Sequence, residues 1–131
     1  MPLFHIMWNP GQSRETKERI RTEIGQSMGR LAGIDPSFIA VLFADLKRGD
    51  MGAHGALTEV YISEGRPDSF KDQVVALATD AICGHTGWAR EEIGVIIHDL
   101  RKGSIAVNGK IVNRAGPAAD AVIKEKKEKP S

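Results

Sequence analysis

A proline directly follows the first methionine of this 131-residue chain. If Met1 is removed, Pro2 carries a free secondary amine. A free α-amine has a pKa of about 8, and partial burial or nearby cations lower it. Such an amine can act as a general base near neutral pH. A structural interpretation is also open, in which Pro2 only begins a β-strand, and the residue type alone does not decide between the two.

Other reactive side chains are present but form no familiar constellation. The four histidines, His5, His54, His85 and His98, are scattered without metal-ligand spacing. The sequence contains no phosphate-binding glycine motif, nucleophilic serine elbow or cysteine pair. The single cysteine, Cys83, lies in an apolar stretch and is interpreted as a small core residue. The sequence therefore predicts neither a metal nor an organic cofactor.

Two stretches of the chain resemble each other closely. Residues 39–49 read IAVLFADLKRG and residues 93–103 read IGVIIHDLRKG. The two stretches are 54 residues apart in the sequence. The same offset also aligns further pairs without a gap: Gly11 with Gly65, Lys17 with Lys71, and Gly55 with Gly109. The chain is therefore interpreted as two copies of one unit.

Length and composition favour a single compact domain, since 41% of the residues are hydrophobic and two separate domains would each be marginal. We predict one domain over residues 1–113, made of repeats 2–55 and 56–113. Beyond it, residues 114–131 are expected to form a charged tail, in which residues 117–123 have the composition of a short helix.

The charge and hydropathy patterns exclude several classes of protein. A formal net charge of +1 gives no general electrostatic reason to expect a nucleic acid or a membrane surface as partner. No apolar run is long enough to span a bilayer, and the first residues lack the basic and apolar regions of a signal peptide. These observations predict a cytoplasmic protein.

The first unit shows the pattern of a strand, a helix and a second strand. Residues 3–8 read as a strand that ends at the turn residues Asn9-Pro10-Gly11. Ser13 is a candidate cap for an amphipathic helix that ends near residues 33–36. Residues 38–46 are nearly all apolar, which predicts a strand covered on both faces and parallel to the first. The glycines that follow predict an edge hairpin.

The second unit repeats this plan. It predicts a strand over residues 57–63, a cap at Asp68, a helix from Ser69 to about Cys83, a buried strand over 93–100, and a hairpin over 103–109. Together the units predict an α+β fold, in which tandem β-α-β units form a four-stranded sheet with two helices on one face. Because one chain has nothing left to cover the other face, oligomerisation is expected.

A family resemblance follows from these residues taken together. Residues 60–66 read VYISEGR and precede a helix and then Val95-Ile96-Ile97, while Pro2 begins the first unit. This combination resembles the tautomerase superfamily, typified by 4-oxalocrotonate tautomerase, over residues 2 to about 113. The resemblance implies the tautomerase/MIF-like fold. It also places the chain with fused two-unit members, which assemble as homotrimers.

The resemblance implies a function and roles for two residues. Pro2 would be the general base of a cofactor-independent tautomerase, an isomerase that transfers a proton on a small enol or unsaturated 2-oxo acid. Arg66 occupies the position of the family's turn arginine, which binds the substrate carboxylate. A bidentate guanidinium suits a planar carboxylate and stabilises developing negative charge most where water is excluded. Arg66 could instead be an ordinary solvent-facing turn residue.

The sequence departs from the family pattern at several cationic positions. The first unit has Gln12 where the second has Arg66, and the family's second arginine maps to Ala40 and Gly94. Ala56 stands where the second unit would need its proline, so one chain supplies at most one catalytic amine. The site is either weak or recruits another cation, and the candidates are strand-end residues that could also be solvated: Lys47, Arg48, Arg101 and Lys102.

Four further residues are predicted to contact substrate. Gln12 replaces the turn arginine in the first unit. The aromatic wall of the family maps to Met51 and Ile105, which are apolar but not aromatic. Trp8, in the first strand, is a candidate pocket wall, with core packing as the other interpretation.

Alternatives to a tautomerase remain open. The superfamily also contains decarboxylases and hydrating dehalogenases, although Ser63 and Val107 stand where dehalogenation would need an arginine and a carboxylate. A catalytically weak or inactive trimeric member is a further alternative. A retained Met1 would favour it, because the nitrogen of Pro2 would then be a tertiary amide without basicity.

Overall fold

The computed structural model describes residues 1–52 and 54–114. The helices and strands follow the predicted order: β1 (Leu3–Trp8), α1 (Arg14–Ala32), β2 (Ala40–Asp45), β3 (Ala56–Ser63), α2 (Asp68–Thr86), β4 (Ile93–Leu100), β5 (Ala106–Val107) and β6 (Lys110–Ile111). Short 3-10 helices precede β2 and β4. The short helix predicted over residues 117–123 and, apart from Arg114, the predicted charged tail lie outside the described residues. No helix in the described ranges is long and apolar enough to cross a membrane.

The main sheet has four strands in the order β2-β1-β3-β4. Within each unit the two strands are parallel, and β1 and β3 join the units in antiparallel fashion. A helix follows the first strand of each unit, as a parallel crossover requires. The predicted α+β fold, with its β-α-β-β-α-β order, is confirmed.

Local sequence signals explain where the helices begin and end. The Ser13 side chain accepts a hydrogen bond from the Thr16 N–H at 3.1 Å, which caps α1 as predicted. Gly33 ends α1 in the left-handed conformation, with φ 70°. The second helix begins at Asp68, after Pro67, and runs to Thr86. The predicted helix, with Asp68 as its cap and its end near Cys83, was therefore too short at both ends.

The hydrophobic core lies between the helices and one face of the sheet. Alternate residues of β1 are fully buried, and apolar residues from both helices pack against them. The main contributors are Phe4, Ile6 and Trp8 from β1, Ile20, Ile24 and Met28 from α1, and Val74, Ala78 and Ile82 from α2. Both helices therefore cover the same face.

The opposite face of the sheet is uncovered in the single chain. Leu42 on β2 is 51% exposed and Ile96 on β4 is 47% exposed. The prediction that the long strands are covered on both faces is therefore wrong for one chain, because both helices pack on the same side. A sheet face that exposes apolar side chains is suited to contact with another protein chain.

A polar cluster occupies the middle of the uncovered face. The Tyr61 hydroxyl donates to Glu59 Oε2 at 2.8 Å, and His98 Nε2 lies 2.9 Å from the same oxygen. The Tyr61 and His98 rings stack with their centroids 4.4 Å apart. The Tyr61 hydrogen bond, followed by that of His98, lowers the pKa of the Glu59 carboxyl. Glu59 therefore stays ionised at neutral pH in spite of its apolar neighbours.

The two glycine-rich segments behave differently. After β2, hydrogen bonds from Asp50 N–H to the Lys47 carbonyl and from Gly52 N–H to the Gly49 carbonyl form successive turns. The hairpin predicted there is wrong, because the described residues of this segment form no strand pair. In the second unit the predicted hairpin is confirmed as the β5–β6 pair. Its turn contains Asn108 and Gly109, both with positive φ.

The repeat is also visible in side-chain contacts. Lys17 Nζ lies 2.7 Å from Asp45 Oδ2, and Lys71 Nζ lies 2.8 Å from Asp99 Oδ2. These pairs occupy equivalent positions and tie each helix to the end of the long strand in its own unit. The duplication inferred from sequence therefore extends from backbone to side chains.

Candidate active site

A cavity of about 250 Å³ lies where the start of the chain meets the turn after β3. Its apolar wall comes from the helices, β3 and the C-terminal hairpin, and includes Met28, Ile34, Ile62, Phe70 and Val112. Its polar part includes Ser63, Glu64, Arg66, Lys102, Asn113 and Arg114. Met1 and Pro2 complete the lining. The cavity thus combines apolar walls with several convergent polar groups, as small-molecule sites do.

The chain start is held against this cavity by the sheet. Pro2 is buried, and its carbonyl accepts a hydrogen bond from the Ala40 N–H at 3.0 Å. Burial lowers the pKa of the Met1 α-amine below its ordinary value. Pro2 is buried directly beside Met1 and lines the same cavity. The surroundings of the chain start therefore favour a neutral amine.

Arg66 follows a turn that requires a glycine. Gly65 has φ 96°, a conformation that side chains rarely adopt. The Arg66 guanidinium carbon lies 4.5 Å from the centroid of the Phe70 ring, which is itself nearly buried. Stacking orients the guanidinium and leaves its N–H edge available. Arg66 makes no ion pair with any residue in the described ranges, so it can bind an anion.

The C-terminal hairpin is fastened to the end of β3 by Asn113, which is 6% exposed. Its Nδ2 donates to Ser63 Oγ at 3.1 Å and to the Arg101 carbonyl at 3.0 Å. Its Oδ1 accepts from the Ile105 N–H at 2.7 Å. One buried amide therefore holds together the strand end, the hairpin and the cavity wall.

Comparisons with known proteins agree with this architecture. A family model described as tautomerase enzyme matches residues 57–115. The probable tautomerase RSp1151 of Ralstonia nicotianae is 35% identical over 57 residues, which cover 44% of this chain and 88% of that protein. The family-model match lies in the second unit.

The chain belongs to the tautomerase superfamily.

Solved structures show the same fold across both units. A fused 4-OT described as an asymmetric trimer superposes with a TM-score of 0.76 at 16% identity, covering 92% of this chain and 98% of that one. N1, a member of the cis-3-chloroacrylic acid dehalogenase family, superposes with a TM-score of 0.80 at 14% identity, covering 97% and 99%. At these identities the likeness concerns the fold. It confirms the predicted fused two-unit arrangement within the tautomerase superfamily.

Pro2 and Arg66 both line the cavity, whereas Trp8 lies elsewhere in the chain. β1 separates Pro2 from Trp8 by roughly 20 Å, given the rise of an extended strand. Trp8 is fully buried, stacks on Phe43 at 5.1 Å, and donates from Nε1 to Asp45 Oδ1 at 2.7 Å. The hydrogen bonds of Lys17 and then of Trp8 lower the pKa of the Asp45 carboxyl. These contacts agree with the core-packing interpretation of Trp8.

The other three predicted substrate contacts do not line the cavity either, as far as the described residues show. Gln12 and Met51 are half-buried and lie in the loops that follow β1 and β2. Ile105 is 8% exposed and packs with Phe38 and Val112 beneath the hairpin. Its neighbour Val112 reaches the cavity, so Ile105 supports the wall without forming it.

At the repeat-equivalent end of the sheet, a tryptophan packs against the residue that precedes β3. Trp88 is equivalent to Ile34, and Gly55 is equivalent to Met1. A Cβ on Gly55 would lie 2.7 Å from the Trp88 ring, so the ring rests directly on the backbone there. Trp88 also lies 5.7 Å from Trp8. We call Trp8, Gly55 and Trp88 the plugged end.

Sequence reasoning missed Asn113 and Val112 because neither belongs to a recognisable motif. The available signal was the Asn108-Gly109 turn, which places a short hairpin just before them. Buried asparagines that fasten loops are found only once the long-range contacts are known.

Proposed function

We propose that this chain is a cofactor-independent tautomerase that transfers a proton on a small enol or unsaturated 2-oxo acid. The observation that carries the proposal is the position of Pro2 and Arg66 in the lining of one cavity. A base and a carboxylate anchor must act on the same substrate molecule, so both must line the same cavity. Membership in the tautomerase superfamily agrees with the proposal.

The proposed reaction begins with a substrate carboxylate bound by Arg66. The amine of Pro2, freed by removal of Met1, takes the proton of the enol hydroxyl. The electron pair of that O–H bond forms the π bond of the carbonyl. The electron pair of the enol C=C bond then becomes available to bind a proton at carbon. The protonated amine then returns its proton to carbon, which yields the 2-oxo acid and regenerates the base.

Arg66 and the apolar wall have separate roles in this scheme. The guanidinium stabilises the negative charge that spreads from the enolate toward the carboxylate. Met28, Ile62 and Phe70 form an apolar wall beside Arg66, whose side chain is exposed in the single chain, and water displaced by a bound substrate strengthens that electrostatic contact. The Phe70 ring also keeps Arg66 in place, which reduces the entropy lost on binding.

Ketonisation of a 2-hydroxydienoate tests the proposal. Removing a positioned base costs about 10²-fold or more in rate, so kcat should fall by that much in Pro2→Ala. Arg66→Ala should raise KM strongly because the carboxylate loses its partner. Pro10→Ala and Arg48→Ala are matched controls, since both residues are exposed and absent from the described cavity lining. An unchanged rate in Pro2→Ala would disprove the catalytic assignment.

One observation favours a second candidate, a catalytically weak or inactive member. Ala40 and Gly94 occupy the positions of the family's second arginine, so the site lacks a cation there. Intact mass spectrometry separates the candidates, because the active form requires loss of Met1. Turnover of the 2-hydroxydienoate to a decarboxylated or hydrated product would instead indicate one of the other superfamily reactions.

Assembly as a homotrimer forms part of the proposal. The uncovered sheet face, with Leu42 and Ile96 exposed, supports it. Fused 4-OT proteins of the same fold are described as trimers. A cytoplasmic location stays a prediction from the sequence.

A further inference from the structure

His5 adds a second histidine to the polar cluster on the uncovered sheet face. Its Nδ1 lies 3.9 Å from Glu59 Oε1, whereas Tyr61 and His98 contact Oε2 of the same carboxylate. The strand register explains this arrangement, because His5 of β1 pairs with Glu59 of β3, and Tyr61 of β3 pairs with His98 of β4. One carboxylate therefore lies between two histidines that come from different strands.

The polar cluster contains every titratable side chain that the described strands present on this face. Successive side chains of a strand point to opposite faces, so the register identifies the other residues that share the face with Glu59. None of these carries a charge: they are Ala40, Leu42 and Ala44 on β2, Leu3 and Met7 on β1, Leu57 and Ser63 on β3, and Gly94, Ile96 and Leu100 on β4.

Charged side chains of α1 approach His5 across the edge strand β2. A groove at this edge is lined by His5 and by four charged residues of the helix: Arg14, Lys17, Glu18 and Arg21. Three of them are neutralised in ion pairs, since Lys17 contacts Asp45 and Arg21 contacts Glu18. Arg14 is exposed, so solvent and salt screen its charge. Glu59 is therefore the main charge that acts on the two histidines.

The polar cluster carries a negative charge in the single chain. The hydrogen bond from Tyr61, followed by that from His98, lowers the pKa of the Glu59 carboxyl. The same hydrogen bond to Glu59 raises the pKa of the Tyr61 hydroxyl, which therefore stays protonated. Histidine side chains are ordinarily neutral at about pH 8. Water still reaches the cluster, because 23% of the Glu59 side chain and 40% of the His98 side chain are exposed.

A second copy of the chain packed on this face would remove that water. Burial of an unpaired carboxylate is costly, but one added proton leaves a cluster without net charge, either as a carboxylate–imidazolium pair or as a neutral pair. We propose that the uncovered face is a proton-linked interface between copies of this chain, at which each chain takes up about one proton on assembly. The proposal rests on the homotrimer proposed above and is independent of the proposed reaction.

The direction of the pH dependence follows from this proton uptake. Because the assembled chain holds more protons than the free chain, assembly becomes stronger as the pH falls from about 8 to about 6.5. Near the lower value the histidines of the free chain also begin to bind protons, so the gain levels off. A second proton would make the cluster positive, and burial of that charge is again costly.

Analytical ultracentrifugation at about pH 8 and about pH 6.5 tests the proposal. The chain concentration at which half of the wild type is assembled should be about 10-fold or more lower at the lower pH. Glu59→Gln removes the charge but keeps an acceptor for Tyr61, so this variant should assemble equally well at both pH values. A double variant, His5→Gln with His98→Gln, should assemble weakly at both, because Glu59 then has no imidazole with which to share a proton.

A second carboxylate–histidine pair supplies the matched control. His85 Nε2 lies 3.1 Å from Glu23 Oε1, and both residues belong to the helical layer. Glu23→Gln should therefore keep the pH dependence of the wild type. The proposal is overturned if Glu59→Gln also keeps that dependence, or if Glu23→Gln loses it to the same extent.

The possible results separate proton linkage from assembly itself. A wild-type trimer that forms equally well at both pH values would refute the linkage and leave the homotrimer standing, whereas a wild type that is monomeric at both would refute the two together. If the wild type stays assembled at the lowest measurable concentration, the urea concentration that dissociates it is compared instead and should be higher at the lower pH. No substrate is involved, so loss of the proposed tautomerase reaction would not change these results.

Discussion

The proposed chemistry depends on an amine that is neutral at physiological pH. The surroundings of the chain start supply this condition, because burial lowers the pKa of the α-amine there.

The pH dependence of the reaction should follow the protonation state of this amine. Below the pKa of the Pro2 amine the base is protonated and inactive, so kcat/KM should rise with pH and level off below the usual amine value of about 8. The measurement is kcat/KM from about pH 5 to about pH 9. A rate that still climbs at the upper end would show that the amine is not depressed. Arg48→Met should leave the midpoint unchanged.

Single residues of the candidate site were partly predictable. Pro2 and Arg66 were identified because a terminal proline and a Glu-Gly-Arg turn are local features of the sequence. Their shared cavity agrees with that prediction, while their roles stay predictions. Trp8 could not be assigned, because an aromatic residue on a strand suits a pocket wall and a core equally well. Its hydrogen bond to Asp45 depends on strand pairing that no local pattern specifies.

At the scale of elements, the same glycine pattern produced one hairpin and not the other. The second unit has Asn108 before Gly109, and both adopt the positive φ of a tight hairpin turn. The first unit has His54 before Gly55, and Gly55 leads directly into β3 beneath the Trp88 ring. Strand and helix periodicity was enough to predict the layers, but the hairpins depended on individual turn residues.

The close contact at Gly55 predicts a difference between two glycine substitutions. Gly55→Ala would place a Cβ 2.7 Å from the Trp88 ring. Overpacking of this kind should lower the free energy of unfolding by about 1 to 3 kcal/mol. Gly84→Ala is the matched control, because a Cβ on this α2 residue meets open space. It should stabilise the chain by about 0.5 to 1 kcal/mol.

Denaturant unfolding of the two variants and the wild type gives these free energies. If Gly55→Ala proves as stable as the wild type, Trp88 does not rest on the backbone as described. The Pro2 cavity lies at the other end of the sheet, so Gly84→Ala should retain wild-type kcat/KM.

At the scale of the whole molecule, the uncovered sheet face is the surface on which neither helix of the chain packs. Its polar cluster keeps Glu59 ionised between Tyr61 and His98, and apolar Leu42 and Ile96 flank that cluster on the outer strands. The sequence predicted that this face needs a cover. It did not predict which residues meet across an interface, because that depends on the packing of entire sheets.

Charge substitutions on this face should therefore disrupt assembly. Leu42→Glu and Ile96→Glu place a carboxylate where a second chain is expected, and burial of an unpaired charge is costly. We expect a trimer for the wild type and smaller species for both variants in analytical ultracentrifugation. Val75→Glu is the control, since Val75 is 37% exposed on α2, in the helical layer. A monomeric wild type at micromolar concentration would contradict the expected assembly.

The plugged end has a spectroscopic consequence. The chain contains two tryptophans, Trp8 and Trp88, and both lie there, within one aromatic cluster and away from the Pro2 cavity. Their emission should report melting of that end of the sheet, with the indoles moving from apolar surroundings into water. Arrival of a small acid beside Arg66 should leave the same signal almost unchanged. Intrinsic fluorescence is thus suited to following denaturation of this protein and poorly suited to following what it binds.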